Sequence, residues 1–195
     1  MSHTEEEITR ETEGTEEPCC VVGIGASAGG LEALQDFFKA MPADTGAAFV
    51  VVQHLSPDHK SLMAELLSRC TTMTVKAAQD GQAVLPDHVY LIPPAKDLSI
   101  YQGKLYLQGQ NSKNHINLAI DSFFRSLAAD KRKHAIAVVL SGAGSDGTLG
   151  IRAVKEAGGM VMVQDVETAK FDSMPQSSIA TGLVDFVLPP AKMAE

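Results

Sequence analysis

The chain has no tryptophan, only three cysteines, and 5% aromatic residues among 195. Cys19 and Cys20 are adjacent and Cys70 lies far off. That spacing fits neither a metal knuckle nor a disulfide framework, and predicts reduced thiols in a cytoplasmic protein. No apolar run approaches the roughly 20 residues needed to span a bilayer. No basic stretch leads into an apolar one at the start, so a secretory leader is not expected. Basic stripes interleaved with aromatics are also missing, which argues against nucleic acid as a partner. The net charge is −8. Residues 1–17 hold seven Glu and one Arg, a net of −6, which leaves −2 for the remainder. This segment lacks apolar periodicity and reads as a disordered acidic tail, with one folded domain over 18–195.

The folded part is 178 residues of alternating strand-like and helix-like segments, enough for a full α/β core. Strands are predicted near 19–24, 47–53, 73–77, 88–92, 135–140, 160–164 and 184–188. Helices are predicted near 29–41, 57–70, 117–130, 148–157 and 174–181. In the first helix Leu31, Leu34, Phe37, Phe38 and Met41 recur at helical spacing, which marks a core face. Ser56-Pro57 fits an N-cap and first-turn pair, and Asp146-Gly147-Thr148 an N-cap before the fourth helix. Such alternation predicts a doubly wound, mostly parallel sheet with helices on both faces. Leu98–Tyr101, Gln102-Gly103 and Lys104–Leu107 break the rhythm and read as an antiparallel β-hairpin appendage. Residues 108–116 form a polar loop suited to the rim of a site. Met160, Met162 and Met174 read as core or rim fillers.

The first strand runs into Gly25-Ala26-Ser27-Ala28-Gly29-Gly30. Gly-x-Ser-x-Gly between a strand and a helix has the spacing of a nucleophile elbow. The same stretch offers Gly23-x-Gly25-x-x-Ala28, a dinucleotide fingerprint. That motif requires a carboxylate at the tip of the second strand to hold a ribose. Here the second strand ends in Gln53-His54, which favours a base beside a serine. A third polar cluster, Ser141-Gly142-Ala143-Gly144-Ser145-Asp146-Gly147, follows the fifth strand. Ligands of open α/β sheets sit beyond the carboxyl ends of the strands. Ser27, His54 and Asp146 are therefore candidate nucleophile, base and orienting acid. Backbone amides near Ala28, Gly142, Ala143 and Gly144 are candidate oxyanion donors. Each residue has a plainer reading. Ser27 and Asp146 could be helix caps, His54 a buried and satisfied imidazole, and the glycines an anion nest. His54, Asp58 and His59 lack a further ligand nearby, so no metal is expected.

Four ordered blocks, Val22–Gly30, Val52–His54, Leu140–Gly147 and Phe171–Pro175, together resemble the catalytic domain of the CheB chemotaxis protein-glutamate methylesterases. Asp80-Gly81, Leu85-Pro86 and Tyr90–Pro94 add to the resemblance, which runs from about Val21 to Leu188. It implies a Ser27–His54–Asp146 triad, no cofactor, and hydrolysis of glutamate γ-methyl esters on chemoreceptor signalling helices, with glutamine deamidation in some members. Ala28 stands where many members have threonine, Ala143 where many have methionine, and arginines common before the helix at 117–130 are missing. About 20 residues precede the first strand, too few for the receiver domain usual in the family. Val52–Asp58 is similar to methylesterase domains fused ahead of a chemoreceptor methyltransferase domain, which implies that further partner. The reading from another class is a catalytically weak receptor-binding or regulatory module.

Overall fold

The computed structural model describes residues 17–53, 62–109 and 118–195. Residues 1–16 of the acidic tail, His54 with the Ser56-Pro57 cap, Asp58 and His59, and positions 110–116 of the polar loop lie outside the described residues.

Seven parallel strands form the main sheet. They are β1 (Val21–Ala26), β2 (Ala48–Gln53), β3 (Thr74–Ala77), β5 (His88–Leu91), β8 (Ala135–Val139), β9 (Met160–Gln164) and β10 (Phe186–Leu188). Their order is β10-β9-β8-β1-β2-β5-β3, so the chain extends from β1 to both sides, with β5 inserted between β2 and the edge strand β3. The helices are α1 (Gly30–Ala40), α2 (Met63–Ser68), α3 (Ala119–Lys131), α4 (Thr148–Glu156) and α5 (Ser173–Ile179). A second, antiparallel sheet is built from β4 (Gln82–Ala83), β7 (Lys104–Gly109) and β6 (Lys96–Tyr101). The expected hairpin is present, and Gln102 and Gly103 at its tip have φ of 49° and 69°. Positive φ at both central residues gives a two-residue turn whose twist matches the strands. The carboxylate of Asp130, at the end of α3, accepts the amides of both turn residues.

The period-two alternation of the strands divides the core. Val22, Ile24, Phe49, Val51, Val89 and Leu91 pack against Leu34, Phe37 and Phe38 of α1. Val21, Val50, Val52 and Val139 face the opposite layer, with Phe123, Phe124 and Leu127 of α3 and Leu98, Ile100 and Leu105 of the small sheet. On that side β1 carries glycine. A Cβ on Gly25 would sit 2.5 Å from Ile120 Cγ2, and one on Gly23 would sit 2.9 Å from Leu127 Cδ2. These two positions need glycine for the approach of α3 and not for backbone freedom. That approach brings the start of α3 to the carboxyl end of β1.

Met174 is buried, whereas Met160 is partly exposed on β9. Among the described residues no helix is long and apolar enough to cross a membrane.

The far edge of the sheet is tied down by Asp185. Its carboxylate takes Lys155 Nζ at 2.7 and 2.9 Å and the Val161 amide at 2.8 Å, joining α4, β9 and the approach to β10. Burial opposes ionisation here, but the Lys155 and Val161 hydrogen bonds outweigh it and hold the carboxyl below its ordinary range. A carboxyl depressed in the folded state stabilises above its unfolded pKa, and the contribution fades as pH falls through the folded value. Asp185→Asn is expected to cost about 1–2 kcal/mol at neutral pH, allowing for a half-exposed pair. That corresponds to a Tm about 2–8 °C lower. The gap from wild type should narrow as thermal melts are taken at more acidic pH below about 4.

Candidate active site

In a doubly wound sheet the crevice opens where the winding reverses. Here that point lies between β1 and β8, which are neighbours in the order although more than a hundred residues apart in sequence. Ser27 follows β1, and the loop 141–147 follows β8. The two segments touch. Ser27 N donates to Ser141 O at 3.0 Å. A Cβ on Gly142 would lie 3.0 Å from Ser27 Cβ and 2.2 Å from Met174 Sδ, so any side chain there would have to displace Met174.

Ser27 does not cap α1. The N-cap is Gly29, in left-handed backbone at φ 69°, and no side chain caps the helix. Among the described residues no partner is found for the Ser27 hydroxyl, which is half-buried at the carboxyl edge. The commonest reason for serine at a strand-to-helix turn is thereby removed.

Asp146 does cap a helix, but not the one expected. Gly147 is the N-cap of α4, at φ 102° and without side-chain help. The Asp146 carboxylate reaches across to α3 instead, with Oδ2 accepting Ile120 N at 3.0 Å and Oδ1 accepting Asp121 N at 2.9 Å. Asp121 returns the arrangement, since its Oδ1 accepts Gly150 N of α4 at 2.6 Å. Each helix start is thus satisfied by an aspartate from the other helix's segment. Both side chains are buried, at 7% and 4% exposure. Burial pushes the Asp121 carboxyl above its ordinary range and the nearby Asp146 charge adds to this, against the opposing Gly150 amide.

His54 lies outside the described residues. Gln53, the last described residue of β2, pairs with Ala26, and its Nε2 donates to Ser27 O at 3.4 Å. Of the four candidate oxyanion residues, two amides are already engaged. Gly142 N donates to Phe171 O at 2.9 Å, and Gly144 N donates to Ser173 Oγ at 3.1 Å. Both bonds tie the loop to the start of α5. The amides of Ala28 and Ala143 have no acceptor among the described residues.

The block Phe171–Pro175, noticed in the sequence without a chemical role, braces this loop. Met174 N and Ser173 Oγ both donate to Gly142 O, at 3.0 and 3.3 Å. Two buried residues escaped sequence reasoning. Ser141 and Gln164 are 0% and 2% exposed, and Ser141 N donates to Gln164 Oε1 at 2.8 Å. A serine heading a glycine loop and a glutamine ending a strand carry no sequence signal of burial.

Residues 22–195 match the family model described as CheB methylesterase. Among curated proteins, the chain is 36% identical over 179 residues to protein-glutamate methylesterase/protein-glutamine glutaminase 1 of Xanthomonas campestris, covering 90% of this chain and 50% of that protein. It is 31% identical over 179 residues to protein-glutamate methylesterase/protein-glutamine glutaminase of Photorhabdus laumondii, covering 90% and 51%. The chain therefore spans about half the length of these relatives. The crystal structure of the Thermotoga maritima CheB methylesterase catalytic domain matches with a TM-score of 0.82 at 35% identity, over 90% of this chain and 95% of that one.

Proposed function

Since this chain belongs to the CheB methylesterase family, we propose that it is a cytoplasmic serine hydrolase acting on glutamate γ-methyl esters of chemoreceptor signalling helices. The observation that carries this reading is the meeting of Ser27 with the Asp146 loop at the reversal of winding, with a serine hydroxyl that serves no helix.

Ser27 Oγ attacks the ester carbonyl while His54 takes its proton. The tetrahedral oxyanion is met by the Ala28 amide, with that of Ala143 as the second donor. His54 returns the proton to the departing methanol, and a water then opens the acyl-enzyme by the same route to leave free glutamate. Asp146 orients the imidazole and balances its charge once protonated. Its place at the start of α3 gives it a rigid support, because both carboxylate oxygens are fixed by backbone amides. A methyl ester is an activated acyl compound, so the residues named suffice for the chemistry. The same attack on a side-chain amide would release ammonia and deamidate glutamine. A chemoreceptor methyltransferase domain is the proposed neighbour in the longer protein, on the resemblance of Val52–Asp58 to such fusions.

The test is methanol release from a radiomethylated chemoreceptor, run beside ammonia release from its glutamine form. Methanol release at a rate set by protein concentration supports the proposal. Receptor binding without release of either product would make the domain a recognition module.

A further inference from the structure

Ser141, buried two residues beyond β8, holds the backbone on both sides of Ser27. The peptide unit entering Ser27 donates its N–H to Ser141 O at 3.0 Å. The unit leaving Ala28 has its carbonyl on Ser141 Oγ, at 2.9 Å. A hydroxyl has one proton and two lone pairs. The Ser141 hydroxyl can donate to Ala28 O, and it accepts Phe171 N at 3.0 Å, which anchors the segment before α5. Gln164 fixes Ser141 in turn. Its Oε1 takes the Ser141 amide, while its Nε2 donates to Thr168 O and Oγ1 at 3.1 and 3.2 Å.

The unit between these two, Ser27–Ala28, is constrained from its other end. Ser27 O accepts Gly30 N at 3.0 Å and Gln53 Nε2 at 3.4 Å. In a planar trans peptide the N–H points opposite the carbonyl. The Ala28 N–H is therefore turned away from Gly30 and Gln53, and it has no acceptor among the described residues. Three consecutive peptide units are held, and the hydrogen-bond donors they leave open among the described residues are the N–H groups of Ala28, the residue after the nucleophile, and of Gly29.

We propose that Ser141 is a positioning residue of the acyl-transfer centre, aiming the Ala28 N–H and fixing the base of the Ser27 side chain by its grip on the flanking peptide units. The proposal rests on Ser27 being the nucleophile. Preorganised donors contribute because they need no reorientation as charge develops, and losing one costs about 10²–10³ in rate. Freeing the peptides without deleting the donor should cost less, about 30–100-fold.

The experiment measures phosphonylation of Ser27 by a fluorophosphonate probe, read by intact mass at 25 °C, with kcat and KM for methanol release alongside. Ser141→Ala is expected to slow labelling and kcat by about 30–100-fold and to leave KM within about threefold. Ser141→Cys, which keeps a weak hydrogen-bonding group, should recover part of the loss. Leu105→Ala, in the small sheet and buried, is the control for lost stability and should label at the wild-type rate while folded. Labelling of Ser141→Ala within about threefold of wild type, or no slower than Leu105→Ala, would overturn the proposal. Should Ser141→Ala fail to fold, Gln164→Ala decides instead: slowing by about fivefold or more supports the proposal, and wild-type labelling refutes it. Wild-type protein that is not labelled at Ser27, or Ser27→Ala labelled equally fast, would remove the nucleophile reading and this inference with it.

Discussion

Ser27→Ala is expected to abolish ester turnover and to leave the domain folded. The expected loss in kcat is on the order of 10⁴–10⁶, the scale seen when a triad serine is removed from a hydrolase of another fold. The structural cost is small because the hydroxyl caps no helix and has no partner among the described residues. Its half-buried side chain should contribute no more than about 0.5 kcal/mol, a Tm change within about 2 °C. Methanol release and a thermal melt on the same preparation check both halves. Turnover near the wild-type rate would move the nucleophile elsewhere. A large fall in Tm would show that Ser27 supports the elbow as well as the chemistry.

Asp146→Asn is expected to lose about 10⁴ in rate, because an asparagine cannot hold the base in the required tautomer or balance an imidazolium. From sequence alone this substitution looks harmless to folding, since asparagine is as good an N-cap as aspartate. The structure changes that expectation. The carboxylate accepts two amides at once, one per oxygen, whereas an asparagine would turn an NH₂ group toward one of them. One buried donor is left facing another donor, at a cost of about 1–2 kcal/mol and a Tm about 2–8 °C lower. The assay is the esterase rate of folded protein at neutral pH, with the melt as its companion. A rate loss below about tenfold would leave Asp146 with the helix alone.

What could be read in the sequence was what depends on neighbours along the chain. The seven sheet strands fall within two residues of their expected bounds because short apolar runs between turn residues have few alternatives. The hairpin was legible because Gln102-Gly103 can take positive φ twice. The glycines of the elbow were recognised, but their purposes differ. Gly29 supplies a left-handed turn, and Gly25 clears a path for Ile120. The two-residue strand β4 has no period to detect. The exchange of caps between Asp121 and Asp146 spans 25 residues, and the Ser141–Phe171 bond spans 30. Nothing local distinguishes an aspartate that caps its own helix from one that caps another. For the same reason nothing local shows that the Gly142 and Gly144 amides meet Phe171 and Ser173.

The paired aspartates make the two chemical groups unequal in inheritance. A descendant that gave up hydrolysis could exchange Ser27 freely, since no helix depends on it. It could not exchange Asp146 without also rebuilding the start of α3, and Asp121 ties the start of α4 to the same change. If the proposed triad holds, inactive offshoots of this lineage should therefore keep Asp146 long after losing Ser27. In a chain of this kind an intact Asp146 alone says little about whether the enzyme still works, and the identity of residue 27 says a great deal.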